Sequence, residues 1–418
     1  MDSTILDSAL LQTLMQRGFY HQCTDVKALD AHVSSQPIVA YIGFDCTADS
    51  LHVGSLVMIM MLRWLQHFGH TPIVLLGGGT TKVGDPSGKD TTRKILTEED
   101  IQKNKQGICS VFEKFLRIGD RPGDAIILDN ALWLDELSYV PFLRDIGKHF
   151  SVNRLLTFDS IAARLEREQP LSFLEFNYIL LQSYDFVELY RRHGCTLQLG
   201  GSDQWGNIVS GIDLGRRMVS KTLYGWTAPL LTTASGSKMG KTEKGAVWLS
   251  QDKFSAYDYW QFWRNTDDRD VNLFLRLFTD LPLDTIASVT SQAGKALNEA
   301  KVLLADWQTK ICHGQEAQEL AKKTAQKTFT QSGLGADLPS VTLSFDMDEE
   351  VLLTSVMVRC GFASSNSAAR RLIQQGAVKI EDVSISEVSY SFKKEHFVST
   401  QSLKLSCGKK KFAAISCV

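Results

Sequence analysis

Three short stretches of the 418-residue chain carry side chains able to do chemistry. The first, GFDCTADSLHVGS (Gly43–Ser55), passes from a strand end through a turn into a helix start, with His52 just inside. A histidine there sits beside unsatisfied backbone N–H groups and the positive end of the helix dipole, a setting that suits an anion. Gly54 lets a bulky ligand approach the backbone. The plainer alternative is that His52 only caps the helix. The second, GSKMGKT (Gly236–Thr242), sets Lys238 and Lys241 three apart among glycines, with the hydroxyl of Thr242 beside them. That reads as a mobile cationic loop for phosphates, or as a solvated turn; the G-x-x-x-x-G-K-[ST] spacing of a P-loop is absent. The third, GGSDQWGN (Gly200–Asn207), runs from paired glycines into a helix with Asp203 and Gln204 at its start. Asp203 is either a plain N-cap or a holder of ribose hydroxyls.

The elements around these stretches decide whether they meet. PIVAYIGFD (Pro37–Asp45) reads as a strand, rich in β-branched and aromatic residues and ending in turn chemistry. A helix over Leu51–Phe68 follows, apolar nearly all round and hence buried on most faces. TPIVLLGGG is a second strand, short and continuously apolar as in parallel sheets. Strand, helix, strand is the unit of a doubly wound sheet, so the predicted class is α/β with a Rossmann-like parallel sheet. Thr97 and Asp100 form a capping box for a helix to about Leu116, and DAIILDN is a third strand. Helices are expected around Val140–Phe150 and Ser172–His193. Then come the strand TLQLGG, a helix from about Asp203 and a last strand, GWTAPLL (Gly225–Leu231). Ligands of such sheets lie outside the C-terminal strand ends, and all three chemical stretches fall at that edge.

The chain is too long for one ordinary core. Hydrophobic residues at 44% and charged residues at 22% describe a globular protein, and no apolar run is long enough to cross a bilayer. The N-terminus lacks a basic and apolar leader pattern, which places the protein in the cytoplasm. Eight cysteines show no CxxC or Cys/His cluster, against structural zinc or a disulfide framework. Residues 255–327 are mostly helical in pattern, and Thr330–Ser340 has linker composition. Residues 351–418 carry 10 Lys and Arg against 4 Asp and Glu, leaving an acidic body with a small basic tail. That asymmetry points to a polyanionic partner touched mainly at one end.

The chain resembles the class I aminoacyl-tRNA synthetases, and within them the bacterial-type tyrosyl enzymes. HVGS stands where that family has HIGH, and KMGKT where it has KMSKS. GFDCTADSLHVG, GDPSGK, FLRDIGKHFSVN, LLQSYDF, GGSDQWGNI and QFWRNTDDRDV all match tyrosyl-enzyme segments. The resemblance implies a Rossmann-like catalytic domain with an inserted dimerisation region at 1–226 and a KMSKS-like loop with a helical anticodon-side domain at 227–329. A linker at 330–350 and a small α+β RNA-binding domain at 351–418 complete it. It implies ATP-dependent ligation of L-tyrosine to tRNA(Tyr) through a tyrosyl-adenylate, with Mg²⁺ arriving on ATP and no protein-caged metal. A homodimer is implied, with neither a membrane nor DNA as partner. The nearest alternatives are a tryptophan-specific ligase and a non-catalytic RNA-binding or splicing derivative of the fold.

Site roles follow from the same resemblance. Tyr41 and Asp185 are implied to hydrogen-bond the substrate phenol, and Tyr178, Gln182 and Asp85 to hold its ammonium group, with Gln198 also in the tyrosine site. His52 and Thr47 would contact ATP phosphates. Gly43, Gly54, Ser55, Gly201, Asp203 and Gln204 would line the adenylate, with Asp45 near the ammonium or ribose. Lys238, Lys241 and Thr242 would clamp pyrophosphate, assisted by Lys89 and Arg93. Contacts to tRNA are expected from Arg370, Arg371, Lys409, Lys410 and Lys411, and at the acceptor arm from Lys148 and Arg154. Three positions depart from the pattern. Cys46 replaces a proline and should loosen its turn. Ser55 replaces the second histidine of HIGH, and Ile42 a cysteine near the ribose.

Overall fold

The structure, a computed structural model, describes residues 6–87, 96–234, 236, 239–242, 245–291, 294–330, 340–344, 350–397, 402–408 and 411–417. The main sheet has the spatial order β1-β6-β5-β2-β3-β4. Its strands are β1 (Gln22–Cys23), β2 (Val39–Asp45), β3 (Thr71–Gly77), β4 (Ile126–Asp129), β5 (Cys195–Gly201) and β6 (Tyr224–Ala228). β2 to β6 pair in parallel, and β1 runs antiparallel along β6. The chain steps outward from β2 to β4, then returns to the other side of β2 to lay down β5. The direction of winding therefore reverses between β2 and β5, where a doubly wound sheet leaves its crevice.

Helix Leu56–His67 lies against this sheet with Leu56, Ile59, Met60, Met61, Leu62 and Leu65 fully buried, as its nearly all-round apolar surface requires. Its first turn differs from expectation. Val53–Ser55 is a 3₁₀ turn and the α-helix starts only at Leu56. The capping box of Thr97 and Asp100 is present on helix Glu98–Phe115. The helix expected over Ser172–His193 is divided at Asn177 into Phe173–Phe176 and Tyr178–His193. That expected over Val140–Phe150 is Tyr139–Asp145 followed by a 3₁₀ turn. β6 stops at Ala228, short of the expected Leu231, because Pro229 has no N–H for the ladder. Among the described residues no helix is long and apolar enough to cross a membrane.

The chain divides into two compact units. The first comprises Met1–Lys241, Ala246–Lys253 and Thr266–Ala300, and the second Thr242–Gly245, Phe254–Asn265 and Lys301–Val418. In the second, helix Ala256–Arg264 joins helix Gln315–Thr330 through a shared acceptor. Trp260 Nε1, Gln318 Nε2 and Lys322 Nζ reach Asp306 at 2.8, 2.8 and 2.5 Å. Its C-terminal part is a five-stranded sheet with helices Leu353–Arg359 and Asn366–Gln374, closed over Val356, Met357, Ile373, Phe392, Leu405 and Ile415.

Candidate active site

A cavity of about 320 Å³ opens at the C-terminal ends of β2 and β5. Tyr41, Gly43, Asp45, Thr47, His52, Gly54, Ser55, Asp85, Tyr178, Gln182, Asp185, Gln198, Gly201, Asp203 and Gln204 all line it. Residues from β2, β5, the two helices that follow them and helix Tyr178–His193 are thus brought to one place. Ile42 also faces it and offers no hydrogen bond.

At the buried end, Asp185 is 2% exposed. Its Oδ1 accepts from Trp133 Nε1 at 2.8 Å and its Oδ2 from Asn130 Nδ2 at 3.0 Å. Burial pushes the carboxyl up to about 7, against the pull of these two donors. Beside it in the cavity wall, Tyr41 packs edge-on against Phe186 with ring centroids 5.2 Å apart. Burial, and next the Asp185 charge, raise its phenol well above the usual range, so Tyr41 remains a hydroxyl donor. The Tyr41 hydroxyl and Gln198 Oε1 are buried with no partner in the described structure. Unpartnered buried polar groups are costly, and a ligand hydroxyl that accepts from Tyr41 and donates to Asp185 would remove that cost for Tyr41. Asn130 and Trp133 were not anticipated from sequence. Asn130 also accepts from Gly79 N at 2.8 Å, so it ties the β3 turn to the Asp185 carboxylate.

Halfway up the cavity the wall is rich in acceptors. Asp45 accepts from Tyr178 Oη at 3.1 Å and from Thr80 Oγ1 at 2.8 Å. Asp85 accepts from Gln204 Nε2 at 2.8 Å and from Ser87 N at 2.9 Å. Gln182 Nε2 donates to Gln204 Oε1 at 3.3 Å, and Asn207 Nδ2 to Gln182 Oε1 at 2.9 Å. Two carboxylates within one hydrogen-bonded wall suit a cationic ligand group. Asp203 makes no N-terminal cap; Gly201 and Gln204 occupy the cap positions.

The histidine corner is arranged differently from the expectation of free backbone donors. Val53 N–H donates to Val247 O at 2.9 Å, Gly54 N–H to His52 Nδ1 at 3.0 Å, and Ser55 N–H to His52 O at 2.8 Å. His52 is therefore the cap, and an anion here meets side chains and the helix dipole instead of open N–H groups. With Nδ1 accepting, the neutral imidazole carries its proton on Nε2. Gly54 is required for a nearer reason than ligand approach. A Cβ on it would stand 2.6 Å from His52 Cε1 and 3.0 Å from Met239 O. Gly240, at φ +94°, takes a conformation open to glycine, and a Cβ there would lie 2.9 Å from Gly54 N. The base of the cationic loop and the histidine corner thus meet glycine to glycine. Ser55 makes no side-chain cap bond, and its residue lines the cavity. The turn at Cys46 is pinned, not loosened: its N–H donates to Thr81 Oγ1 at 2.7 Å and its carbonyl accepts from Asn104 Nδ2 at 2.8 Å.

Lys89, Arg93, Lys238, Lys409 and Lys410 lie outside the described residues, as do the side chains of Lys241 and Thr242. Lys148 and Arg154 line a separate cavity of about 160 Å³ with Phe150, Asp213 and Arg217, and Arg154 is ion-paired with Asp213. Arg370 and Arg371 are exposed on their helix, whereas Lys411 Nζ donates to Phe362 O at 3.1 Å. Among the described residues no group of three or more His, Cys, Asp or Glu is placed to hold a metal ion.

Comparison with known proteins places this arrangement. The family profile described as tRNA synthetases class I (W and Y) matches residues 34–330, and the Tyrosine--tRNA ligase SYY-like C-terminal domain matches 330–415. The Tyrosine--tRNA ligase of Rhodospirillum rubrum is 54% identical over 409 residues, covering 98% of either chain. The C-terminally truncated mitochondrial tyrosyl-tRNA synthetase of Aspergillus nidulans superposes with a TM-score of 0.69 at 27% identity, over 77% of this chain and 94% of that one. The tyrosyl-tRNA synthetase of Archaeoglobus fulgidus, solved with L-tyrosine, shares the fold at a TM-score of 0.56 and 16% identity, over 74% and 99%. A matched sequence of this extent, on a switch-point cavity with a histidine cap and a buried Tyr–Asp floor, means that the chain belongs to the class I tRNA synthetases of the W and Y type.

Proposed function

We propose that the protein is an ATP-dependent ligase that charges tRNA(Tyr) with L-tyrosine in two steps, adenylate formation and transfer to the 3′-terminal ribose. One observation carries the choice of tyrosine: the buried floor pairs an unpartnered Tyr41 hydroxyl with the Asp185 carboxylate. A phenol there can accept from Tyr41 and donate to Asp185, whereas phenylalanine leaves the Tyr41 hydroxyl unpartnered and adds no donor to the buried carboxylate. The substrate ammonium then lies toward Asp85, Tyr178 and Gln182, with Gln198 beside the ring. The substrate carboxylate is already ionised at neutral pH, so attack on the α-phosphorus needs alignment and not a general base. Charge developing on the phosphates falls to His52 Nε2–H, Thr47 and the lysines of the KMGKT loop, with Lys89 and Arg93 assisting. Asp203 and Gly201 take the ribose, and Mg²⁺ enters as part of the ATP substrate.

The basic C-terminal domain supplies Arg370 and Arg371 to tRNA, and Lys148 and Arg154 the acceptor-arm contacts. The working form is a cytoplasmic homodimer. Supporting the dimer, the exposed Tyr139 and Phe173 line an apolar groove with Leu134, Leu137, Phe142, Leu143 and Leu174. Tyrosine-dependent ATP–pyrophosphate exchange without tRNA tests the assignment. Exchange driven by tryptophan would give the sister specificity, and no exchange from folded protein would give an RNA-binding derivative. A chain cut before residue 351 is expected to keep exchange and lose most tRNA charging; loss of exchange in a folded truncation would refute the modular division.

A further inference from the structure

Next to the histidine corner runs a segment that no part of the mechanism above uses. Residues 247–250 lie antiparallel on residues 51–53. Val247 O accepts from Val53 N at 2.9 Å, Leu249 N donates to Leu51 O at 2.9 Å, and His52 and Trp248 face each other as a bridge pair. The segment is fixed further along by Ser50 Oγ and Ser250 Oγ at 2.6 Å and by Lys114 Nζ on Leu249 O at 3.0 Å. At its near end Val247 N donates to Gly240 O at 3.0 Å. One short strap therefore bonds to both the histidine corner and the base of the cationic loop.

The strap also carries a side-chain relay. The half-buried Trp248 meets the His52 imidazole edge to face, with ring centroids 6.1 Å apart at 64°. Lys253 Nζ stands 5.6 Å from the centre of the Trp248 ring and is held there by Asp49 Oδ1 at 2.7 Å. Asp49 fixes the lysine, the lysine fixes the indole, and the indole borders the imidazole. Gly54 N–H holds the His52 ring at Nδ1. The indole of Trp248 borders the same ring edge to face and so adds a side-chain contact to that backbone bond. We propose that Trp248, braced by Lys253 and Asp49, is a positioning residue that holds His52 in the orientation needed for adenylate formation. This rests on the assignment of His52 to the ATP phosphates.

The test is a double-mutant cycle on the full-length protein, reading the rate of tyrosyl-adenylate formation at saturating ATP and, separately, the Kd for tyrosine. An aromatic edge contact implies that Trp248→Leu slows adenylate formation roughly three- to tenfold. Tyrosine affinity is expected to stay unchanged, and Trp248→Phe to restore most of the rate. In a His52→Ala background, Trp248→Leu should cost nothing further, because the proposed route through the imidazole is then gone. An unchanged rate in Trp248→Leu, an equal loss of tyrosine binding, or losses that multiply with His52→Ala would each overturn the proposal. Should Trp248→Leu fail to fold, Lys253→Met at the partly exposed end of the relay decides. Its smaller loss, about twofold, must also vanish in the His52→Ala background, and a persisting or absent loss counts against us. A His52→Ala variant that forms adenylate at an unchanged rate would instead overturn the phosphate role of His52 itself, and this inference with it.

Discussion

Replacing Trp133 with Phe removes one of the two donors that hold Asp185 in its charged form. Asp185 titrates at about 7, raised by burial and lowered by Trp133 Nε1 at 2.8 Å and Asn130 Nδ2 at 3.0 Å. A phenol donor binds the ionised carboxylate more strongly than the neutral acid, and a group with that pKa is about three-quarters ionised at pH 7.5. A hydrogen bond to a charged acceptor contributes about 1.5 kcal/mol, so its loss raises the carboxyl by about one pH unit. The ionised fraction at pH 7.5 then drops to about one quarter, and tyrosine binding weakens about threefold. The sign is fixed: protonation is what harms binding, so the defect grows as pH falls. It should reach about eightfold at pH 6.5 and shrink to about 1.3-fold at pH 8.5. Calorimetric Kd values for tyrosine across that range, for both proteins, provide the measurement. A loss of the same size at every pH would show that Trp133 acts by packing and not through the charge on Asp185.

Gly54→Ala drives a methyl to 2.6 Å from His52 Cε1 and 3.0 Å from Met239 O. Adenylate formation should fall at least about tenfold while tyrosine still binds, as rapid-quench and equilibrium measurements would reveal; intact catalysis would mean the ring has room to give. Arg164 and Glu175 form an ion pair with both side chains at most 3% exposed. Arg164→Met strands the carboxylate, and urea unfolding should report a loss of about 3–5 kcal/mol; a change below 1 kcal/mol would show that water reaches the site.

Much of the site was legible in the chain because its parts are local. A strand ending in Gly43–Asp45, a histidine at the next helix start and the Gly200–Gln204 corner each announce themselves within a few residues. The parallel sheet was readable for the same reason, from short apolar runs separated by helices. Features that depend on distant partners were not. The first N–H groups of the histidine turn look open in sequence, yet Val247 and His52 itself take them. Asn130 reads only as the end of a strand and Trp133 carries no signal of its own, and their purpose appears once helix Tyr178–His193 sets Asp185 against them. Even Gly54 gave the right residue with an incomplete reason, since the atoms that crowd it belong to its neighbour and to the loop around Gly240.

The hydrogen bond from Cys46 N–H to Thr81 Oγ1 bears on how this protein can be altered. Restoring the proline of the related pattern at position 46 would ordinarily count as a rigidifying change, because it narrows the unfolded ensemble. Here it would strip the amide proton and leave the buried hydroxyl of Thr81 without that donor. The two positions therefore form one heritable unit. A lineage moving between the cysteine and proline versions of this turn must change residue 81 in step, or pass through an intermediate less stable than either end.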